Sequence, residues 1–191
     1  MSQRERILDL IKNRKNIPRT LINFIEITGD GNCLYRSASY YLYGNEDKHK
    51  EIRELVYNEA KIHKEELKPF FFEDQCDDTL VNTKLENYIE RIKEDYFYGG
   101  IIEIGIISNY YDLNISVYCT DINDTNQYAH FTNIWKDENI NQFMILHYNE
   151  RIEHFSVLSI NDNPNKVSNN QNIFNKTKPN FKLIFNDIKD K

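Results

Sequence analysis

Apolar positions recur at helical spacing through much of the first half of the chain. From Cys33 onward Leu34, Ala38, Tyr41 and Leu42 lie on one face and predict a helix over 33–43. The charged segment 48–64 carries a single apolar stripe, Ile52, Leu55, Val56 and Ala60, and predicts a helix over 48–63. Further helices are expected over 79–96 and 100–111, and Ile7, Leu8, Leu10 and Ile11 predict one near the N-terminus. Strands are expected near 113–119, 143–148 and 154–160. The last two bracket residues 149–153 and predict a hairpin, with Phe155, Val157 and Ser159 on one face and His154, Ser156 and Leu158 on the other. Helices first and strands later predict an α+β domain with a small mixed sheet flanked by helices. Past Ile160 the chain turns Asn-rich, with Pro164 and Pro179, and 161–180 reads as a linker. The apolar run 181–185 after it is expected to pack back on its own domain.

Composition narrows the function. A chain of 191 residues with 40% hydrophobic content, 13 Tyr and 11 Phe is long and apolar enough for one domain with a proper core. A formal charge of −6 argues against a nucleic-acid binder, which needs a basic face. The N-terminal six residues are too charged for a signal peptide, and no later stretch is long enough to span a membrane. Cys33, Cys76 and Cys119 are widely spaced with no CxxC pair, which points to a reducing compartment and to no metal site.

The chemistry concentrates at 29–37, Gly-Asp-Gly-Asn-Cys-Leu-Tyr-Arg-Ser. Gly29 and Gly31 open backbone conformations closed to other residues, and Asp30 and Asn32 favour the same kind of turn. The turn delivers Cys33 to the start of a helix, where unpaired N–H groups and the helix dipole favour a thiolate. The same N–H groups, with those of the turn, can receive an oxyanion. A free cysteine is more often a small buried hydrophobe, so the case depends on a base. A cysteine-phosphatase loop is excluded, because Ser39 stands where its arginine belongs.

Five histidines are available. His49 and His63 fall on the charged segment and are expected to be solvated, and His130 lies in a polar stretch without pattern. His147 closes one hairpin strand and His154 opens the next, held by the sheet yet beside a loop, which suits a general base for a distant thiol.

The segment 30–36, Asp-Gly-Asn-Cys-Leu-Tyr-Arg, resembles the signature of the OTU (ovarian tumour) cysteine proteases, most of which remove ubiquitin. Three further stretches follow in the family's order. Tyr98-Gly99-Gly100-Ile101-Ile102-Glu103 resembles its aromatic-Gly-Gly-x-x-Glu segment, with Tyr98 where tryptophan is common, and 113–118 resembles the strand after that helix. His154-Phe155-Ser156-Val157-Leu158 resembles the terminal His-aromatic strand. The resemblance implies a papain-like fold over a catalytic domain at 25–160, preceded by a helical arm at 1–24 and followed by 161–191. It implies a deubiquitinating cysteine protease without cofactor or metal, acting on isopeptide bonds at the C-terminus of ubiquitin, polyubiquitin or a ubiquitin-like modifier. The place of action would be the cytoplasm, a host's if the source is a virus, parasite or intracellular bacterium. Cys33 would be the nucleophile, His154 the base and Asp30 a third member of the site, with Gly31 and Asn32 supporting the oxyanion turn. The family usually has Asp or Asn two residues after the histidine to orient its ring; Ser156 stands there and is the candidate orienter. His147-Tyr148-Asn149 matches the tripeptide better, but His154 opens the last strand as the family's histidine does. Glu103 and Glu153 are candidates to pair with arginines of the ubiquitin tail. The rival reading, kept open by Ser156, is a catalytically weak ubiquitin-binding module.

Overall fold

The structure, a computed structural model, describes residues 1–72, 78–134 and 142–160. Cys76, the linker and the 181–185 run lie outside the described residues. Helix α1 (Gln3–Lys12) starts at a capping box in which the Ser2 hydroxyl accepts the Glu5 N–H at 3.1 Å and Glu5 accepts the Ser2 N–H at 2.7 Å. Two short strands follow, β1 (Ile17–Pro18) and β2 (Ile22–Ile25). Then come α2 (Cys33–Tyr43), α3 (His49–Ile62), the single turn α4 (Lys64–Leu67), α5 (Asp78–Ile92) and α6 (Ile101–Tyr111). The chain continues through β3 (Asn114–Thr120), β4 (Gln127–Ile134), β5 (Phe143–Asn149) and β6 (His154–Ile160).

The strands form one six-stranded sheet in the order β1-β4-β3-β5-β6-β2. Only β3 and β5 run parallel, so the sheet is mixed, as the order of elements predicts. Alternation sends Ile115, Val117, Leu146, Phe155 and Val157 to the face covered by α2, α3, α5 and α6. Tyr118, Ile145 and Leu158 go to the other face, which Ile7 and Ile11 of α1 cover. Helix α6 is apolar nearly all round because it is buried on nearly every side.

Three expectations change. The segment before Ile25 is more than a helical arm, since β1 pairs with β4 and β2 with β6, closing both edges of the sheet. The polar stretch around His130 is strand β4, whose partly exposed alternation hides its period. Helix α5 stops at Ile92 rather than continuing to 96. Lys93, Glu94 and Asp95 are helix-compatible, but the chain turns there to lay Tyr96 (φ 73°) over Gly31 and Gly99 against Leu34.

Candidate active site

The link from β2 to α2 passes over the first residues of β6 and carries the predicted nucleophile with it. Gly31 takes φ 80°, and a Cβ there would sit 2.6 Å from Tyr96 Cα, so the turn requires glycine twice over. Asp30 folds back on the turn. Its Oδ1 accepts the Asn32 N–H and Arg36 Nε, both at 3.0 Å, and its Oδ2 accepts Arg36 Nη2 at 2.7 Å. The hydrogen bonds from the Arg36 guanidinium hold the Asp30 carboxyl well below the usual carboxylate range, against a smaller opposing effect of burial. Arg36 also reaches Glu46 at 3.3 Å, and Glu46 accepts the Thr28 N–H at 3.4 Å, which ties the loop down at both ends.

Cys33 opens α2 and is buried, 3% exposed. Its Sγ accepts the Phe155 N–H of β6 at 3.4 Å. This backbone bond, one residue beyond His154, sets the thiol against the strand that the histidine opens. The His154 imidazole lies along Gly29, whose position would place a Cβ 3.7 Å from Nδ1 and Cε1. The turn that carries Cys33 and the strand end that carries His154, 121 positions apart, therefore come together at one corner where 29–33 crosses the head of β6. Tyr148 stacks on Phe155 at 4.8 Å beside them, and Tyr96 and Tyr98 stand exposed at the rim.

Burial pushes the Cys33 thiol up, outweighing the N–H groups of Phe155, Leu34 and Cys33 that favour the thiolate; the Asp30 charge adds to the rise. Burial thus opposes the low-pKa thiolate that a helix start favours. Desolvation is stronger here than the helix terminus. Of the N–H groups expected to receive an oxyanion, that of Asn32 is committed to Asp30. Those of Gly31 and Cys33 donate to no other residue among the described ones.

Ser156 lies across the hairpin from His147, 1% exposed, and its hydroxyl makes no hydrogen bond among the described residues, to His154 or otherwise. Asn149 is the residue paired with His154. His147 sits on the α1 face, away from the Cys33 core, with Nε2 2.8 Å from Thr120 Oγ1 and with Phe24 and Tyr128 edge-on to its ring. Burial pushes its pKa down to about 4, and Arg19 adds to the effect. Glu103 is fully buried, where it accepts the Gly100 N–H and the Tyr88 hydroxyl, both at 2.6 Å; it caps α6 and does not meet solvent, so it cannot pair with a substrate arginine. Glu153 remains exposed at the hairpin turn. His49, expected to be solvated, is buried with Nδ1 2.8 Å from the Glu46 carbonyl.

Sequence reasoning missed Arg53. It lies on α3, 3% exposed, and its guanidinium reaches the turn from behind. Nε and Nη2 donate to Asn32 Oδ1 at 3.0 and 2.7 Å. The available signal was an arginine directly beside Ile52 on an otherwise apolar stripe.

Known proteins resemble this chain in sequence and in fold. A family model described as OTU-like cysteine protease matches residues 28–155, from the glycine turn to Phe155. OVARIAN TUMOR DOMAIN-containing deubiquitinating enzyme 7 of Arabidopsis thaliana is 26% identical over 110 residues, 58% of this chain and 27% of that protein. The chain thus spans about a quarter of that relative's length. The viral OTU domain protease of Farallon virus superposes with a TM-score of 0.62 at 17% identity, over 76% of this chain and 88% of that one. The Hazara virus OTU, solved bound to ubiquitin, gives 0.57 at 19% identity over 77% and 87%. These likenesses show a shared fold, and no metal-binding cluster occurs among the described residues. With two-thirds of its length matched by one family model, and the cysteine turn and the histidine strand meeting at one corner, this chain belongs to the OTU-like cysteine protease family.

Proposed function

We propose that the protein is a deubiquitinating cysteine protease that hydrolyses isopeptide bonds at the C-terminus of ubiquitin or a ubiquitin-like modifier. The observation that carries the reading is the Phe155 N–H···Sγ bond, which sets Cys33 beside the strand opened by His154 in a chain of this family. Because burial raises the Cys33 thiol, His154 takes its proton as the sulfur attacks, rather than from a preformed ion pair. The thiolate adds to the carbonyl of the terminal glycine. The N–H groups of Gly31 and Cys33 receive the oxyanion, and Asp30 keeps the turn in shape. His154 gives its proton to the departing lysine amine, leaving a thioester on Cys33. Water, losing a proton to His154, then attacks the thioester; its hydroxyl becomes part of the released carboxylate and the thiol is restored. Ser156, or a group from elsewhere in the chain, orients the imidazole. No helix among the described residues is long and apolar enough to cross a membrane.

A binding module is the second reading, favoured by the unpartnered Ser156 hydroxyl and the raised thiol. Labelling by ubiquitin carrying a C-terminal electrophile separates the two. The wild type and His147→Ala are expected to label, Cys33→Ala not at all, and His154→Ala at least about a hundredfold more slowly. A wild type that binds ubiquitin but never labels would leave the binding module.

A further inference from the structure

Arg53 is a buried cation held by neutral oxygens. Besides its two bonds to Asn32 Oδ1, Nη2 donates to the Gly31 carbonyl at 3.3 Å and to the Phe97 carbonyl at 3.0 Å, and Nη1 to the Ile92 carbonyl at 2.8 Å. Its Cζ lies over the Tyr35 ring, 4.0 Å from the centroid. Among the described residues it makes no contact ion pair, and the buried Glu103 carboxylate acts on it only at longer range, although it is 3% exposed. Burying a guanidinium costs several kcal/mol, and a hydrophobic residue would fill a helix stripe without that cost. What the charge gains is convergence, for every bond it makes ends on α5's last residue, on the loop before α6, or on the two residues that precede Cys33.

The consequences fall on one peptide unit. Arg53 holds the Gly31 carbonyl while Asp30 holds the Asn32 N–H, so both ends of the Gly31–Asn32 peptide are fixed. A peptide pinned in this way cannot rotate, and the units on either side present the N–H groups of Gly31 and Cys33. The Asn32 side chain, locked by Arg53, helps hold Gly31 at its left-handed φ of 80° against the wider range a glycine would otherwise sample. Phe97 and Ile92, tied to the same guanidinium, bring the segment that lies over Gly31 into the same unit.

We propose that Arg53 is a positioning residue for acyl transfer, preorganising from α3 the turn whose remaining N–H groups receive the oxyanion. The assignment rests on the proposed hydrolase reading, and it is a statement about transition-state geometry. Alkylation of Cys33 by iodoacetamide forms no oxyanion, whereas hydrolysis of a fluorogenic ubiquitin C-terminal amide and inhibition by ubiquitin aldehyde both do. Arg53→Lys keeps the charge but loses the fork that spans Asn32 and Gly31. It is expected to lower kcat about a hundredfold with KM within about twofold, and to weaken ubiquitin aldehyde by a similar factor. The iodoacetamide rate of Cys33 should stay within about threefold of the wild type. Asn32→Ala removes the acceptor and leaves Arg53 in place; a tenfold or larger fall in kcat is expected, and it carries the test should Arg53→Lys fail to fold.

An unchanged kcat in a folded Arg53→Lys, or in Asn32→Ala, would overturn the assignment alone. So would parallel losses of kcat, aldehyde inhibition and alkylation, which would mark a purely structural role. A wild type that alkylates at Cys33 but turns over no ubiquitin substrate would overturn the hydrolase reading, and the assignment with it.

Discussion

Gly31 meets two demands that no other residue satisfies together. Its φ of 80° is disfavoured for any side chain, and the space a Cβ needs is already taken by the Tyr96 backbone. Gly31→Ala is expected to lose on the order of 1–3 kcal/mol in chemical denaturation, and to label with a ubiquitin electrophile at least tenfold more slowly than its lost stability explains. An alanine variant with wild-type melting and labelling would mean that the turn is free to move. Gly29 stands two residues away under a weaker demand, because an added Cβ would make ordinary contact with the His154 ring. The sequence motif treats these glycines alike; only their surroundings separate them. Ser156 shows the same limit. Its place two residues after His154 is legible in the sequence, but the absence of any hydrogen bond from its buried hydroxyl depends on packing between strands that the pattern does not specify.

Helices that bury one stripe were legible as elements, and so was the hairpin that opens with His154, because period and capping are local properties. Helix α2 covers the expected residues and ends at Gly44, whose left-handed φ of 77° lets its N–H reach the Tyr40 carbonyl. Strands β1 and β2 escaped the reading because two and four residues are too few to show alternation. Helix α6 was placed correctly, yet the task of Glu103 was not legible, since an acidic residue in the first turn fits a solvated cap as well as a buried one. Buried, it satisfies both the Gly100 N–H and the Tyr88 hydroxyl. Glu103→Ala would leave both donors orphaned and is expected to cost about 2–4 kcal/mol, while Glu103→Gln, which keeps an acceptor oxygen, should cost roughly half as much. Urea denaturation of the two variants checks this, and equal costs would mean that the cap contributes little to holding α6 in place.

At the scale of the molecule, position along the hairpin and burial, rather than the face of the sheet, decide what each histidine can do, for by alternation His147 and His154 lie on the same side of β5 and β6. His154 opens β6 one residue before the N–H that Cys33 Sγ accepts, with its ring along Gly29. His147, seven residues earlier, points to the α1 face, where it is 5% exposed and ringed by Phe24 and Tyr128. Its folded pKa of about 4 lies below the unfolded value near 6.5. The folded state therefore keeps it neutral where the unfolded chain binds a proton. Its contribution to stability is complete above the unfolded pKa, falls as pH drops from about 6.5 toward 4, and levels off below that. The slope attributable to this one group approaches 1.4 kcal/mol per pH unit at its steepest, about 1–3 kcal/mol over the window. Asp30 contributes in the same sense but at lower pH, because its carboxyl is held below the usual range and gives up its share only as pH falls through the acid range of carboxylates. The two can be separated by substitution. His147→Gln should flatten the stability profile of the wild type between pH 4 and 6.5 and leave any steeper fall below pH 4, and ubiquitin labelling at neutral pH should survive in the folded fraction because the ring does not face Cys33. Denaturation midpoints of the two proteins at half-unit steps of pH make the comparison, and parallel profiles would place the acid sensitivity of this fold on some other group.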